Sequence, residues 1–318
     1  MRKILLTGAV VLVGGGAYAM DGVSVSGGAV FGVKFTEDAT DEITFHHEFD
    51  ISFSASGTTD GGLGFGASAG FDSEPGSNDV DLGTVYVSMD NHTLTIGDND
   101  AADLVAGGIK DVGFDDIGAD DAPEALNGNS KADLIYTGSF GPASVGISAG
   151  PEDGDDGYEY AAGFNFNIAP VKVGVGFDSG RVISIGMGIS QGAISGNVLY
   201  STTKKHMVDV YPDALTDVDA ADSERSEELA VKSTALGADV SYQLSEGTSV
   251  TMVYGQHKVD GYDEAVGDTD DGDIAANTMK SMGIGFAHDL GGGATLKAGA
   301  GKNTDEKTVA DLGITMSF

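Results

Sequence analysis

Residues 43–56 read ITFHHEFDISFSAS. Ile43, Phe45, Phe49, Ile51, Phe53 and Ala55 recur at every second position, interrupted only by His47. Thr44, His46, Glu48, Asp50, Ser52, Ser54 and Ser56 fill the alternate set. A period of two sends the two sets to opposite faces of a β-strand. The same alternation runs through TALGADVSYQL, where Leu236, Ala238, Val240, Tyr242 and Leu244 oppose Gly237, Asp239, Ser241 and Gln243. It returns in MGIGFAHDL, with Met282, Ile284, Phe286 and Leu290 on one side.

Sixteen such segments are expected, near 22–35, 43–56, 63–72, 82–89, 93–97, 132–140, 143–150, 158–168, 170–178, 182–190, 193–201, 232–244, 248–257, 278–290, 294–302 and 307–318. Their connections alternate in length. Thr58–Gly62, Asp90–His92, Gly141–Pro142, Ala169–Pro170, Gln191–Gly192, Ser245–Gly247 and Gly291–Gly293 have turn chemistry. The other series (36–42, 73–81, 98–131, 151–157, 179–181, 202–231, 258–277 and 303–306) is longer or more acidic. No internal repeat or linker divides the chain.

A soluble sandwich or barrel turns its apolar set inward. A membrane barrel turns it outward to lipid and keeps a wet lumen. An even strand number, one rim of turns and one of loops, and Glu48 and Asp50 in mid-strand among Ser and Gly all favour the second. The fold class expected is all-β, a 16-stranded antiparallel transmembrane barrel. A closed barrel leaves no strand edge unpaired in hydrocarbon. The last strand, VADLGITMSF, must then pair with the first through to Phe318 at the interface.

The beginning of the sequence, MRKILLTGAVVLVGGGAYAM, has a charged start, an apolar middle and the small-x-small site Ala17-Tyr18-Ala19. It is expected to be a signal peptide over 1–19, followed by a barrel domain over 20–318. Cysteine is absent, which excludes thiol chemistry and disulfides. The formal net charge of −34, two units more negative without Arg2 and Lys3, excludes nucleic acid as a partner.

SGTTDGGLGFGAS (56–68), IGDNDAADLVAGGIKDVGFDDIGADD (96–121), and HDLGGGATLKAGAG followed by TVADLGITMSF resemble the general porins of alphaproteobacteria, the Rhodobacter type. The likeness spreads over nearly all of the chain after the signal peptide. The resemblance implies an outer-membrane homotrimer of sixteen-stranded barrels in a Gram-negative bacterium, with a third loop folded into each pore. Each barrel would pass ions and small hydrophilic solutes by diffusion. It implies lipid and lipopolysaccharide as surroundings, and recognition of Phe318 by the barrel-insertion machinery as an assembly signal. It also implies that the amine of Met20 meets the carboxylate of Phe318.

On that expectation the acids of the third loop are candidates for the constriction: Asp98, Asp100, Asp103, Asp111, Asp115, Asp116, Asp120, Asp121 and Glu124, with Lys110 the only base among them. A ring of charge in a narrow pore sorts ions by sign. Members of the family carry arginines on the second strand, facing this loop; here Glu48 and Asp50 stand on that strand. Lys34, Lys172, Lys232, Lys280 and Lys297 are the alternative bases, all expected to face the lumen. Lys34, His46, Glu48, Asp50 and Lys297 are the wall residues singled out. The resulting expectation is a cation-preferring pore with a weak transverse field.

DTDDGD suggests calcium at Asp268, Asp270, Asp271 and Asp273, although Gly272 is fifth from Asp268 and misses the EF-hand spacing. Structural calcium rests on family analogy, with divalent bridging to lipopolysaccharide phosphates as the other use of these acids; no cofactor is required. None of the six histidines has a paired-ligand spacing, and His47 and His288 fall on the lipid-facing set. GGLGFG precedes no helix and is no nucleotide loop. Ser201 near His206 is no catalytic triad, so no enzyme is expected. A calcium-binding solenoid would need a repeated GGxGxDxUx, of which GGLGFGASA is a single imperfect instance. A substrate-specific channel or adhesin on the same barrel is the alternative.

Overall fold

A computed structural model describes residues 20–74, 77–126, 131–151, 158–209, 228–260 and 276–318. Sixteen strands follow in chain order: β1 (Met20–Thr36), β2 (Ile43–Thr58), β3 (Gly64–Glu74), β4 (Ser77–Met89), β5 (His92–Asp100), β6 (Lys131–Phe140), β7 (Ala143–Pro151), β8 (Tyr158–Ile168), β9 (Val171–Asp178), β10 (Ile183–Gln191), β11 (Ile194–Asp209), β12 (Glu228–Ser245), β13 (Thr248–Val259), β14 (Asn277–Gly291), β15 (Ala294–Lys302) and β16 (Thr308–Ser317). Each pairs antiparallel with its sequence neighbours, and β1 pairs with β16, so the sheet closes. Between β5 and β6 lie a 3₁₀ turn, Ala102–Ala106, and the single-turn helix α1, Asp121–Glu124.

The alternation orients every strand. On β13, Met252 is 60% exposed and its neighbour Val253 only 4%. Phe49, Phe53, Ile185, Met187, Tyr242, Tyr254 and Ile284 all stand on the outer surface. In water such a belt would be costly, at about 25 cal/mol per Å². Against hydrocarbon it is the favourable arrangement. No helix among the described residues is long and apolar enough to cross a membrane; the strands do the crossing.

Several strands outrun their alternation. β3 reaches Glu74 and β4 starts at Ser77, so most of the loop expected over 73–81 is strand. β11 and β12 likewise extend into the 202–231 region. Above the lipid both faces meet water, and pairing continues where the apolar pattern fades. Residues 1–19 lie outside the described residues, as do 261–275, which include Asp268, Asp270, Asp271 and Asp273.

The barrel closes at Phe318. Its backbone N–H donates to Gly27 O at 3.0 Å, and Gly27 N–H donates to Phe318 O at 2.8 Å. The Phe318 ring stacks on Phe49 at 6.1 Å between centroids. A side chain on Gly27 would meet the ring at 2.7 Å, so the glycine makes room for it.

Removing Phe318 loses two net hydrogen bonds and one aromatic pair, each about 0.5–1.5 kcal/mol, or about 1.5–4.5 kcal/mol in all. The truncated chain, refolded in detergent, is expected to give a smaller fraction of heat-modifiable folded barrel on a gel. An unchanged fraction would show that closure does not depend on this residue.

Candidate functional site: the loop-three eyelet

The segment between β5 and β6 folds into the barrel because it carries its own apolar stripe. Ile109, Val112, Ile117 and Ala119 form a buried cluster with Leu199, Val253 and Val309 of the wall. Ala101 and Ala102 pack on Ala161, and Leu126 on Val182 and Ala235. The 3₁₀ turn lies against β7–β10 and α1 against β11–β14. Loop three thus supplies the hydrophobic core that the wet lumen lacks.

Close approach is possible because the wall beneath is glycine. A Cβ on Gly186 would strike Ala106 O, and one on Gly237 or Gly255 would strike Pro123. A Cβ on Gly285 would lie 2.6 Å from Val112 Cβ. Any side chain at these positions would lift the loop off the wall.

Polar anchors fix the register. Ala102 N–H donates to Ser148 Oγ at 2.9 Å. Lys110 N–H donates to Asp239 Oδ2 at 3.1 Å, and its ammonium donates to Ser195 Oγ and Ser241 Oγ. Phe114 N–H and Asp115 N–H both donate to Asp311 Oδ2, at 2.9 and 3.3 Å. Ser281 Oγ donates to Ala119 O at 2.7 Å. Asp239 and Asp311, the two wall acids in this set, were visible in the sequence only as polar residues at inward strand positions. Their partners, backbone amides far along the chain, leave no sequence signal.

The nine acids expected at the constriction divide. Asp98 and Asp100 are the end of β5, not loop. Asp103 and Asp120 are buried. Glu124 Oε1 accepts from Ile109 N–H at 2.6 Å, and Asp111 Oδ1 from Ala119 N–H at 3.3 Å, so both help shape the loop. Asp116 and Asp121 are exposed, and Asp116 Oδ1 accepts from Gly118 N–H at 2.6 Å.

Asp115, next to Phe114, joins the loop to β1 and β2. Lys34 Nζ donates to its Oδ2 at 2.7 Å and to its backbone oxygen at 3.0 Å. His46 Nε2 lies 3.1 Å from the same Oδ2 and 3.7 Å from Glu48 Oε2. Asp50 pairs in register with Asp72 of β3, and carboxyl oxygens of Glu48, Asp50 and Asp72 lie within 4.8 Å of one another. Asp72 is a member of this group that the sequence reading passed over, although it shares the inward parity.

Lys34, Lys172 and Lys297 stand on inward positions, Lys172 across from Gly188 and Lys297 across from Gly313. Lys232 and Lys280 do not. Lys232 shares the face of Leu236 and Val240, and Lys280 that of Met282 and Ile284, so both point out of the barrel. Both sit near strand ends, Lys232 4.0 Å from Asp260, where a base on the outer face reaches water. His47 is outward and exposed, and His288 pairs with Thr248 Oγ1 at 2.8 Å on the outer face.

Burial, reinforced by a hydrogen bond and repulsion from Asp116 and by repulsion from Asp120, pushes the Asp111 carboxyl from its ordinary 3.8 up to about 10. The seated loop therefore favours the protonated acid, and a loop lifted into water favours the ionised one. Seating is strongest below about pH 4 and weakens as pH climbs toward about 10. Protease protection of residues 102–126 is expected to fall across that range in the wild type and to stay flatter in Asp111→Asn. A profile unaffected by the substitution would remove Asp111 from loop seating.

The family model described as Gram-negative porin matches residues 6–308. The porin of Rhodobacter capsulatus is 28% identical over 314 residues, covering 93% of this chain and all of the relative. A porin structure refined at 1.8 Å superposes with a TM-score of 0.68 at 25% identity, over 93% of this chain and 100% of that one. A triple mutant of Rhodopseudomonas blastica porin, 16% identical with the same coverage and a TM-score of 0.65, shares the fold. Sequence, closed sixteen-stranded barrel and inward loop agree: the chain belongs to the Gram-negative porin family and is an outer-membrane channel protein.

Proposed function

We propose that this porin is a cation-preferring, homotrimeric channel for passive diffusion of ions and small hydrophilic solutes. The observation that carries the ion preference is the charge of the wall. The inward face of β2 and β3 presents Glu48, Asp50 and Asp72 together. The base beside them, Lys34, is paired to Asp115 and so adds little positive field. Asp116 and Asp121 on the loop have the same sign as the wall. A cation passing between them meets carboxylates on both sides, and an anion meets repulsion from both. The trimer is supported by the resemblance to Rhodobacter-type porins and by the apolar outer surface, which suits both lipid and neighbouring barrels. No catalytic group is needed for diffusion.

Reversal potentials across a potassium chloride gradient in a planar bilayer test the preference. Potassium is expected to be the more permeant ion. One charge at about 6 Å in a water-like medium changes an ion's energy by about 0.7 kcal/mol, or roughly threefold in local concentration. The double change Glu48→Gln, Asp50→Asn should therefore lower the potassium-to-chloride ratio several-fold, less at high salt. Chloride preference in the unmodified protein would overturn the reading. The same recordings should show closures in three equal steps.

A further inference from the structure

The contact between loop three and β2 has the composition of a metal site. We propose that His46, Glu48 and Asp115 bind a divalent transition-metal ion of the zinc type, tying the loop to the second strand. One imidazole nitrogen and two carboxylates are a donor set that suits zinc, and imidazole is what separates it from calcium or magnesium sites built of oxygen alone.

The geometry is close to what such an ion needs. Two donors on a tetrahedral zinc, each about 2.0–2.1 Å from the metal, stand about 3.3 Å apart. His46 Nε2 lies 3.1 Å from Asp115 Oδ2 and 3.7 Å from Glu48 Oε2, and the three donor atoms are all within 4.8 Å of one another. The set comes from two elements, a strand and a loop, each fixed independently. The β-ladder holds His46 and Glu48, two residues apart on one face. Asp311 holds Asp115 through its backbone amide.

Two further observations favour an ion here. His46 Nε2 is shut off from solvent and, although 3.1 Å from Asp115 Oδ2, makes no well-aligned hydrogen bond. A coordinating ion would give that nitrogen a well-directed partner. The surroundings also carry an excess of negative charge: Glu48, Asp50, Asp72 and Asp115 against the single ammonium of Lys34. Lys34 does not block the site. Its second bond, to the Asp115 backbone oxygen, survives if the carboxylate turns to the metal. Phe114, with its ring centroid 6.0 Å from that of His46, covers the imidazole on one side.

The proposal does not rest on the ion preference argued above, because binding is measured without transport. Full-length protein in detergent is titrated with zinc, and separately with calcium, by calorimetry. One zinc per chain is expected, with affinity at least tenfold lower in His46→Gln and in Glu48→Gln, and with a much smaller effect of His46→Gln on calcium. Heat-modifiable gel mobility checks that each variant is folded. X-ray absorption at the zinc edge of the unmodified protein gives a second readout free of mutation: imidazole scattering from one ligand among oxygens is expected. Absence of equimolar zinc binding, zinc affinity unchanged by His46→Gln, or an edge spectrum lacking imidazole would each overturn the site. In bilayers, zinc should lower the conductance of the unmodified channel, and His46→Gln should blunt that response; equal responses in both would overturn the assignment.

Discussion

Every backbone N–H and C=O that enters hydrocarbon must find a partner within the protein, because lipid offers none and each orphan costs several kcal/mol. The rest of this structure follows from that constraint. It requires a sheet without edges, and so a β1–β16 pairing that continues to the exchange between Gly27 and Phe318. It leaves side chains free to alternate, apolar outward and polar inward. With sixteen strands the enclosed space is too wide for the wall's own side chains to fill. The ordinary relation between fold and core is thereby inverted, and the barrel alone has no dry centre.

Loop three restores one locally. Its apolar residues cannot face the water of the lumen, so they bury against the only surface at hand, the inner wall. Such a contact needs the wall to be flat, which explains why Gly186, Gly237, Gly255 and Gly285 face it. The seat is then held by wall groups at fixed heights, Ser148, Asp239, Ser281 and Asp311. An isolated loop of this length would pay heavily in conformational entropy to hold one shape. Packing against a rigid, hydrogen-bonded sheet offsets that cost and makes the constriction a defined opening.

The barrel was legible in the sequence because its rule is local. A period of two can be counted in a window of ten residues, as at 43–56, and the turns between segments carry their own glycines and prolines. Individual site residues follow a different logic. Asp103 and Asp116 are alike in the sequence, yet one is buried against the wall and the other is exposed. What separates them is the path of the loop across wall strands that lie up to 197 residues away in the chain. Lys232 and Lys280 show a second limit. Parity was readable for both from Leu236 and Met282, but a base on the lipid-facing set reads as an error in register unless the strand is known to reach water. Asp311 shows a third: its role is to receive two amides from Phe114 and Asp115, and amides carry no residue identity.

Charge completes the argument. A formal net charge of −34 is tolerable because charges in open water farther apart than the screening length, about 8 Å at physiological salt, interact little. The eyelet is where that protection fails. Glu48, Asp50 and Asp72 converge within a few ångströms, with Asp115 and a single lysine alongside. Loops in open water can gather counterions without consequence for transport. Under the cation preference proposed above, the counterion at the constriction is the permeating species itself, and the cost of crowding these acids is recovered when a cation enters. On that proposal Glu48 and Asp50 of the second strand, with Asp72 beside them, form a well for cations within the pore.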